Sequence, residues 1–165
     1  MRFNLLFILE CLMIKVLFVC HGNICRSTMA ECVFNDILER NSEKSISCDS
    51  AATSTEEIWN GVGNPVYPPA RAELEKHGID PGTKRAVQLK REDYVKYDLF
   101  IGMDSANIRN MHRILGGDAD GKIRKLMDYT DRGGDVADPW YSDRFDIAYR
   151  DIYDGCTGLM NELTK

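Results

Sequence analysis

Cys20 is followed by five residues and then Arg26, in the run Cys20-His21-Gly22-Asn23-Ile24-Cys25-Arg26-Ser27. A thiol and a guanidinium so spaced suit displacement at phosphorus, with the sulfur attacking a phosphoryl group that the arginine holds. A phosphate dianion needs donors on every side. A tight loop that turns its backbone N–H groups inward supplies them, and a helix opening directly after it adds its positive end. Gly22 tolerates the backbone angles such a loop demands. Arg26 contributes a planar fork that matches two phosphoryl oxygens. The same field favours the thiolate, the nucleophilic form of a cysteine.

Phosphoryl transfer through a thiol also needs a proton donor for the leaving oxygen and a base for the water that follows; one carboxyl group can serve both steps. Asp138-Pro139-Trp140-Tyr141 offers such a group, with a proline that stiffens the loop and two aromatics able to wall a ring. Spacing alone leaves Asp104, Asp131 and Asp135 open beside Asp138.

The surrounding pattern explains how these groups are positioned. Residues 14–19 are apolar almost throughout, as in a strand buried on both faces. Residues 28–40 carry Met29, Cys32, Val33 and Ile37 at helical spacing, and Thr28-x-x-Glu31 fits a capping box. Further strands are expected at 45–51, 98–103 and 122–127. Further helices are expected from Pro68 to His77, stopped by Gly78, and from Asp104 or Ser105 to Leu115. Asn60 to Pro65 and Tyr129 to Ala137 have loop chemistry, and a long amphipathic helix closes the chain after Asp143. Strands alternating with helices predict a single-domain, three-layer α/β/α sandwich on a four-stranded parallel sheet. Its ligand site should lie beyond the carboxyl ends of the strands, where Cys20 and Asp104 fall.

Bulk properties narrow the class. The chain of 165 residues supports one core, and a net charge of −5 argues against nucleic acid as a partner. Its six cysteines show no zinc-knuckle spacing, so no metal is expected, and reduced thiols fit a cytoplasmic protein. Residues 1–12 read as an N-terminal extension before a domain at 13–165; the apolar run there is too interrupted for a stable membrane span.

The loop together with the distant Asp-Pro-aromatic-Tyr stretch resembles the low-molecular-weight protein tyrosine phosphatase family, with its C-x-G-N-I-C-R-S loop and its acid loop. Asp49-Ser50-Ala51, Gly63-Asn64-Pro65 and His77-Gly78-Ile79 resemble segments between them. The resemblance implies the phosphotyrosine phosphatase I-like fold and hydrolysis of phosphotyrosine in proteins through a phosphocysteine. Cys20 would be the nucleophile, Arg26 the phosphate clamp, and Asp138 the acid and then the base. His21, Gly22, Asn23, Ile24, Cys25, Ser27 and Ser50 would form and support the phosphate loop, with His21 facing outward. Cys25 would be the thiol able to pair reversibly with Cys20. Trp59, Trp140 and Tyr141 would line the phenyl slot with Ile24. No cofactor is implied; the partner is a phosphotyrosine protein, and the chain is expected to be a monomer or weak dimer. Thr28 stands where many members of the family carry proline, and Lys84 sits near where some carry a histidine that supports the loop, a role not carried over to Lys84.

Three other functions compete. Arsenate reduction on this fold needs relay cysteines, and none stands between Cys48 and Cys156. A protein arginine phosphatase would resemble the loop but with threonine in place of Ile24. A non-catalytic phosphate binder would have no use for Cys20 or Asp138.

Overall fold

The computed structural model describes residues 13–165. Residues 1–12, and with them the expected N-terminal extension and Cys11, lie outside the described residues. Four parallel strands form one sheet in the order β2-β1-β5-β6: β1 is Ile14–Cys20, β2 Ile46–Ala52, β5 Leu99–Gly102 and β6 Ile123–Lys125. A two-residue pair, β3 (Ile58–Trp59) and β4 (Val62–Gly63), makes a small separate hairpin.

β1 lies inside the sheet with a helical layer on each face, and this is why its residues are apolar without alternation. Val16, Phe18 and Cys20 point to one layer and Leu17 and Val19 to the other, following the two-residue period of a strand. The first layer is α1 (Arg26–Arg40) with the closing helix α5 (Phe145–Leu163). Phe18 meets Phe34 of α1 edge to face, with ring centroids 5.5 Å apart. The second layer is α3 (Ser105–Leu115), whose Met111 and Leu115 pack on Leu17, Val19 and Phe100. The predicted sandwich is thus the observed one. α2 (Pro68–Lys76) begins at a proline pair and ends before Gly78, which takes a left-handed φ of 74°.

Local details differ from the linear reading. α1 starts at Arg26, two residues before the expected start, and the Thr28/Glu31 capping box does not form. The Thr28 hydroxyl instead donates to the Asn23 carbonyl at 2.9 Å, and Glu31 turns toward Ser50 and Lys84. The phosphate-loop residues take over the helix start that a capping box would have occupied. The fourth strand ends at Lys125, and residues Leu126–Tyr129 form a 3-10 turn. A short helix, α4 (Pro139–Ser142), follows Asp138. Among the described residues no helix is long and apolar enough to cross a membrane.

Candidate active site

Cys20 ends β1 at the carboxyl edge of the sheet, and residues 21–25 turn back to deliver Arg26 and Ser27 into the first turn of α1. Asn23 sits at the bend with a left-handed φ of 60°. Asparagine tolerates that region better than most residues, and here its side chain repays the conformation with bonds. Its amide nitrogen lies 2.9 Å from Ser27 Oγ, 2.8 Å from Ser50 Oγ and 3.3 Å from Thr28 Oγ1. Its carbonyl oxygen accepts from the Val87 amide at 3.0 Å. Ser50 in turn donates to the Glu31 carboxylate. Lys84 donates to the Ser50 carbonyl at 3.0 Å and lies 3.4 Å from Glu31.

This network ends on the sulfur. Ser27 Oγ, already accepting from Asn23, is free to donate to Cys20 Sγ, 3.0 Å away. The Asn23 backbone N–H donates to the same sulfur at 3.3 Å. Two donors therefore converge on an atom that carries charge only as a thiolate.

Arg26 has a side chain only 6% exposed. Its Nη1 donates to the Val136 carbonyl at 3.2 Å, and its Nη2 lies 2.9 Å from Asp104 and 3.4 Å from Asp138. The two aspartates are bound differently. Asp104 caps α3: one oxygen accepts from the Asn107 amide at 2.8 Å while the other takes Arg26. Asp138 caps α4 through Trp140 N at 3.1 Å, and its second oxygen has only the longer contact with Arg26.

These groups line a cleft of about 420 Å³. Cys20, His21, Gly22, Asn23, Ile24, Cys25 and Arg26 line it from the loop side, with Cys20 at its floor, and Asp104 and Asp138 line another side. Trp140 and Tyr141 stand at its mouth, 57% and 88% exposed, with Trp140 packed against Tyr67 at 5.2 Å between ring centroids. Gly22 leaves room for the Glu57 side chain, which an added Cβ would approach to 3.1 Å. His21 points outward, with Nε2 2.9 Å from Glu56. Cys25 is largely enclosed; burial first, then the neighbouring Cys20 and Asp138, pushes its thiol up to about 12.

Most of the expected site residues are brought together, Ser27 and Ser50 from behind the floor. Trp59 is not. It rides on the β3–β4 hairpin, 81% exposed, and does not line the cleft. Of the rival acids, Asp135 is paired with Lys125 at 2.9 Å, and neither it nor Asp131 lines the cleft. The linear reading missed Asp104 as the partner of Arg26, Glu31 and Lys84 as supports of Ser50, and Glu56, Glu57, Asn107 and Asn110 as lining residues. Asp104 had a signal: it follows a strand adjacent to β1, so it had to emerge on the same edge. Glu31 had none, because its pairing with Lys84 exists only across the packed layers; Lys84 had one, as a departure from the resembled family near a loop-supporting position.

Comparison with known proteins agrees along nearly the whole chain. The family model for low molecular weight phosphotyrosine protein phosphatase matches residues 15–165. The low molecular weight protein-tyrosine-phosphatase YfkJ of Bacillus subtilis is 35% identical over 156 residues, covering 93% of this chain and 97% of that protein. Low molecular weight phosphotyrosine protein phosphatase 1 of Drosophila melanogaster is 33% identical over 153 residues, covering 90% of this chain and 96% of that one. The crystal structure of YfkJ superposes with a TM-score of 0.86 at 34% identity, over 92% of this chain and 95% of that one. The Streptococcus pyogenes phosphatase SP-PTP superposes with a TM-score of 0.80 at 34% identity, over 93% of this chain and 95% of that one.

Proposed function

The chain belongs to the low molecular weight phosphotyrosine protein phosphatase family and is a tyrosine phosphatase, and from that premise we propose that it works through a phosphocysteine on Cys20. The observation that carries this reading is the pair of donors on Cys20 Sγ, Ser27 Oγ and Asn23 N, in the same cleft as the buried Arg26 guanidinium.

The aryl phosphate dianion enters phosphate first. Loop amides and Arg26, drawn off its present carbonyl and carboxylate partners, bind the non-bridging oxygens. Cys20 Sγ attacks phosphorus as the bond to the aryl oxygen breaks, and Asp138 gives its proton to that oxygen. Water then attacks the phosphocysteine while Asp138 takes the proton back, releasing inorganic phosphate and the thiolate. The Ser27 hydroxyl eases that departure by donating to the sulfur.

Asp138 suits the acid role better than Asp104. Both Asp104 oxygens are engaged at 2.8 and 2.9 Å, one capping its helix and one holding Arg26, so neither is free to turn toward a leaving oxygen. The freer Asp138 oxygen faces the same cleft at 3.4 Å from Arg26. Ile24, Trp140 and Tyr141 make an apolar mouth suited to a phenyl ring. The expected partner is a phosphotyrosine protein, and residues 13–165 form the working domain. Deleting residues 1–12 is expected to leave kcat/KM unchanged.

Cys20→Ser is expected to abolish release of phosphate from p-nitrophenyl phosphate. Rapid quench and mass spectrometry of the wild-type enzyme should recover phosphate on Cys20. A Cys20→Ser enzyme as active as wild type sinks the mechanism. Parallel phosphotyrosine and phosphoarginine peptides test the slot, with turnover of the first expected.

A further inference from the structure

We propose that Asp151, on the inner face of α5, is a positioning residue for Asp138, acting through Arg132 and the amide of Ala137; the inference deepens the phosphocysteine reading and rests on it.

Asp151 is a carboxylate only 5% exposed. A charge so placed is costly unless it is fully partnered. Both of its closest partners come from the segment that leads into Asp138. Its Oδ1 accepts from Arg132 Nη1 at 2.9 Å, and its Oδ2 accepts from the Ala137 N–H at 3.1 Å. Arg150, a neighbour on the same helix, is more distant at 3.6 Å. Arg132 also spans one helical turn to Asp154 at 2.7 Å, so its fork fixes the loop against two residues of α5.

The Val136–Ala137 peptide is the key unit. It is a rigid plane. Its N–H is given to Asp151, and its C=O accepts from Arg26 Nη1 at 3.2 Å. Val136 N is bonded to the Met103 carbonyl at 2.8 Å, which closes the other side. The Asp151 carboxylate therefore sets the orientation of a plane that contacts Arg26 at one end. The residue directly after that plane is Asp138, whose carboxyl group must reach the leaving oxygen. Gly133 and Gly134, both at positive φ, give the segment between Arg132 and Val136 the turn it needs to bring both contacts onto one carboxylate.

Asp151 does not line the cleft, so its effect on chemistry must pass through placement. A misplaced acid leaves one signature. Poor leaving groups suffer, because they need the proton, while good ones hardly notice. A general loss of folded enzyme scales every substrate equally.

The test measures kcat/KM for aryl phosphates of increasing leaving-group pKa, from p-nitrophenyl to phenyl phosphate, in wild type, Asp138→Asn, Asp151→Asn and Arg132→Gln. Asp138→Asn is expected to lose roughly a hundredfold or more on phenyl phosphate and little on p-nitrophenyl phosphate. Asp151→Asn should show the same selective pattern, on the order of tenfold on phenyl phosphate. Arg132→Gln, which leaves Ala137 bonded to Asp151, should lose less but with the same bias, and it decides the question if Asp151→Asn does not fold. A uniform loss across substrates, or a wild-type dependence in both variants, overturns the inference while leaving Asp138 in place. No selective loss in Asp138→Asn removes the acid assignment and the inference with it.

Discussion

At the scale of single residues, Asn23 links the shape of the loop to the state of the sulfur. It occupies a left-handed conformation, spreads its amide across Ser27, Thr28 and Ser50, and gives its backbone N–H to Cys20. Asn23→Ala strains the left-handed backbone and leaves these buried hydroxyls short of a donor. The expected cost is about 1–3 kcal/mol in denaturant unfolding, with a loss of kcat/KM larger than the change in folded fraction explains. Ser27→Ala acts later in the reaction. It removes the hydroxyl that faces Sγ at 3.0 Å, so dephosphorylation should slow by on the order of tenfold or more and phosphoenzyme should accumulate. A pre-steady-state burst with p-nitrophenyl phosphate checks this.

At the scale of elements, the start of α3 does two jobs through Asp104: it caps the helix and holds Arg26. The two can be separated. Asp104→Asn keeps a good cap and loses the charge beside the buried Arg26, so the helix start is preserved while kcat/KM falls. Asp104→Ala loses both, with an additional cost of about 1 kcal/mol in thermal or denaturant unfolding. The seat of α5 is equally specific. Gly158 lets the helix lie against the 3-10 turn, and an added Cβ there would meet the Tyr129 carbonyl oxygen at 1.9 Å. Alanine is the better helix former by about 1 kcal/mol, but the clash is with backbone and cannot be relieved by a rotamer. Gly158→Ala is therefore expected to destabilise by about 1–3 kcal/mol net, read from the shift in the unfolding midpoint.

Across the whole molecule, the enclosed thiols set an alkaline limit. Burial raises Cys25 and Cys32 from 9.0 to about 12 and also raises Cys48 and Cys156. Above pH 9 the unfolded chain releases these protons while the folded chain keeps them. Stability conferred by protonated thiols is thus complete below about pH 9 and is lost as pH rises toward 12. Urea midpoints measured from pH 8 to 11 should fall, and Cys32→Ala should flatten the decline. Much of the architecture was readable along the chain. The unbroken apolar run of β1, the helical stripes and the eight contiguous residues Cys20–Ser27 are short-range patterns, and neighbouring residues alone enforce them. Even so, the start of α1 shifted, because Thr28 and Glu31 found partners outside their own helix. Contacts between distant segments were not readable. Arg26 and Asp138 are 112 positions apart, Asn23 and Val87 are 64, and Ala137 reaches Asp151 on another layer. Trp59, for all its promise, stays outside the cleft because a separate hairpin carries it. Composition and spacing specify which groups a chain owns and the local turn each prefers. Which of its aspartates meets the arginine depends on where every packed layer comes to rest, a balance no short window of residues contains.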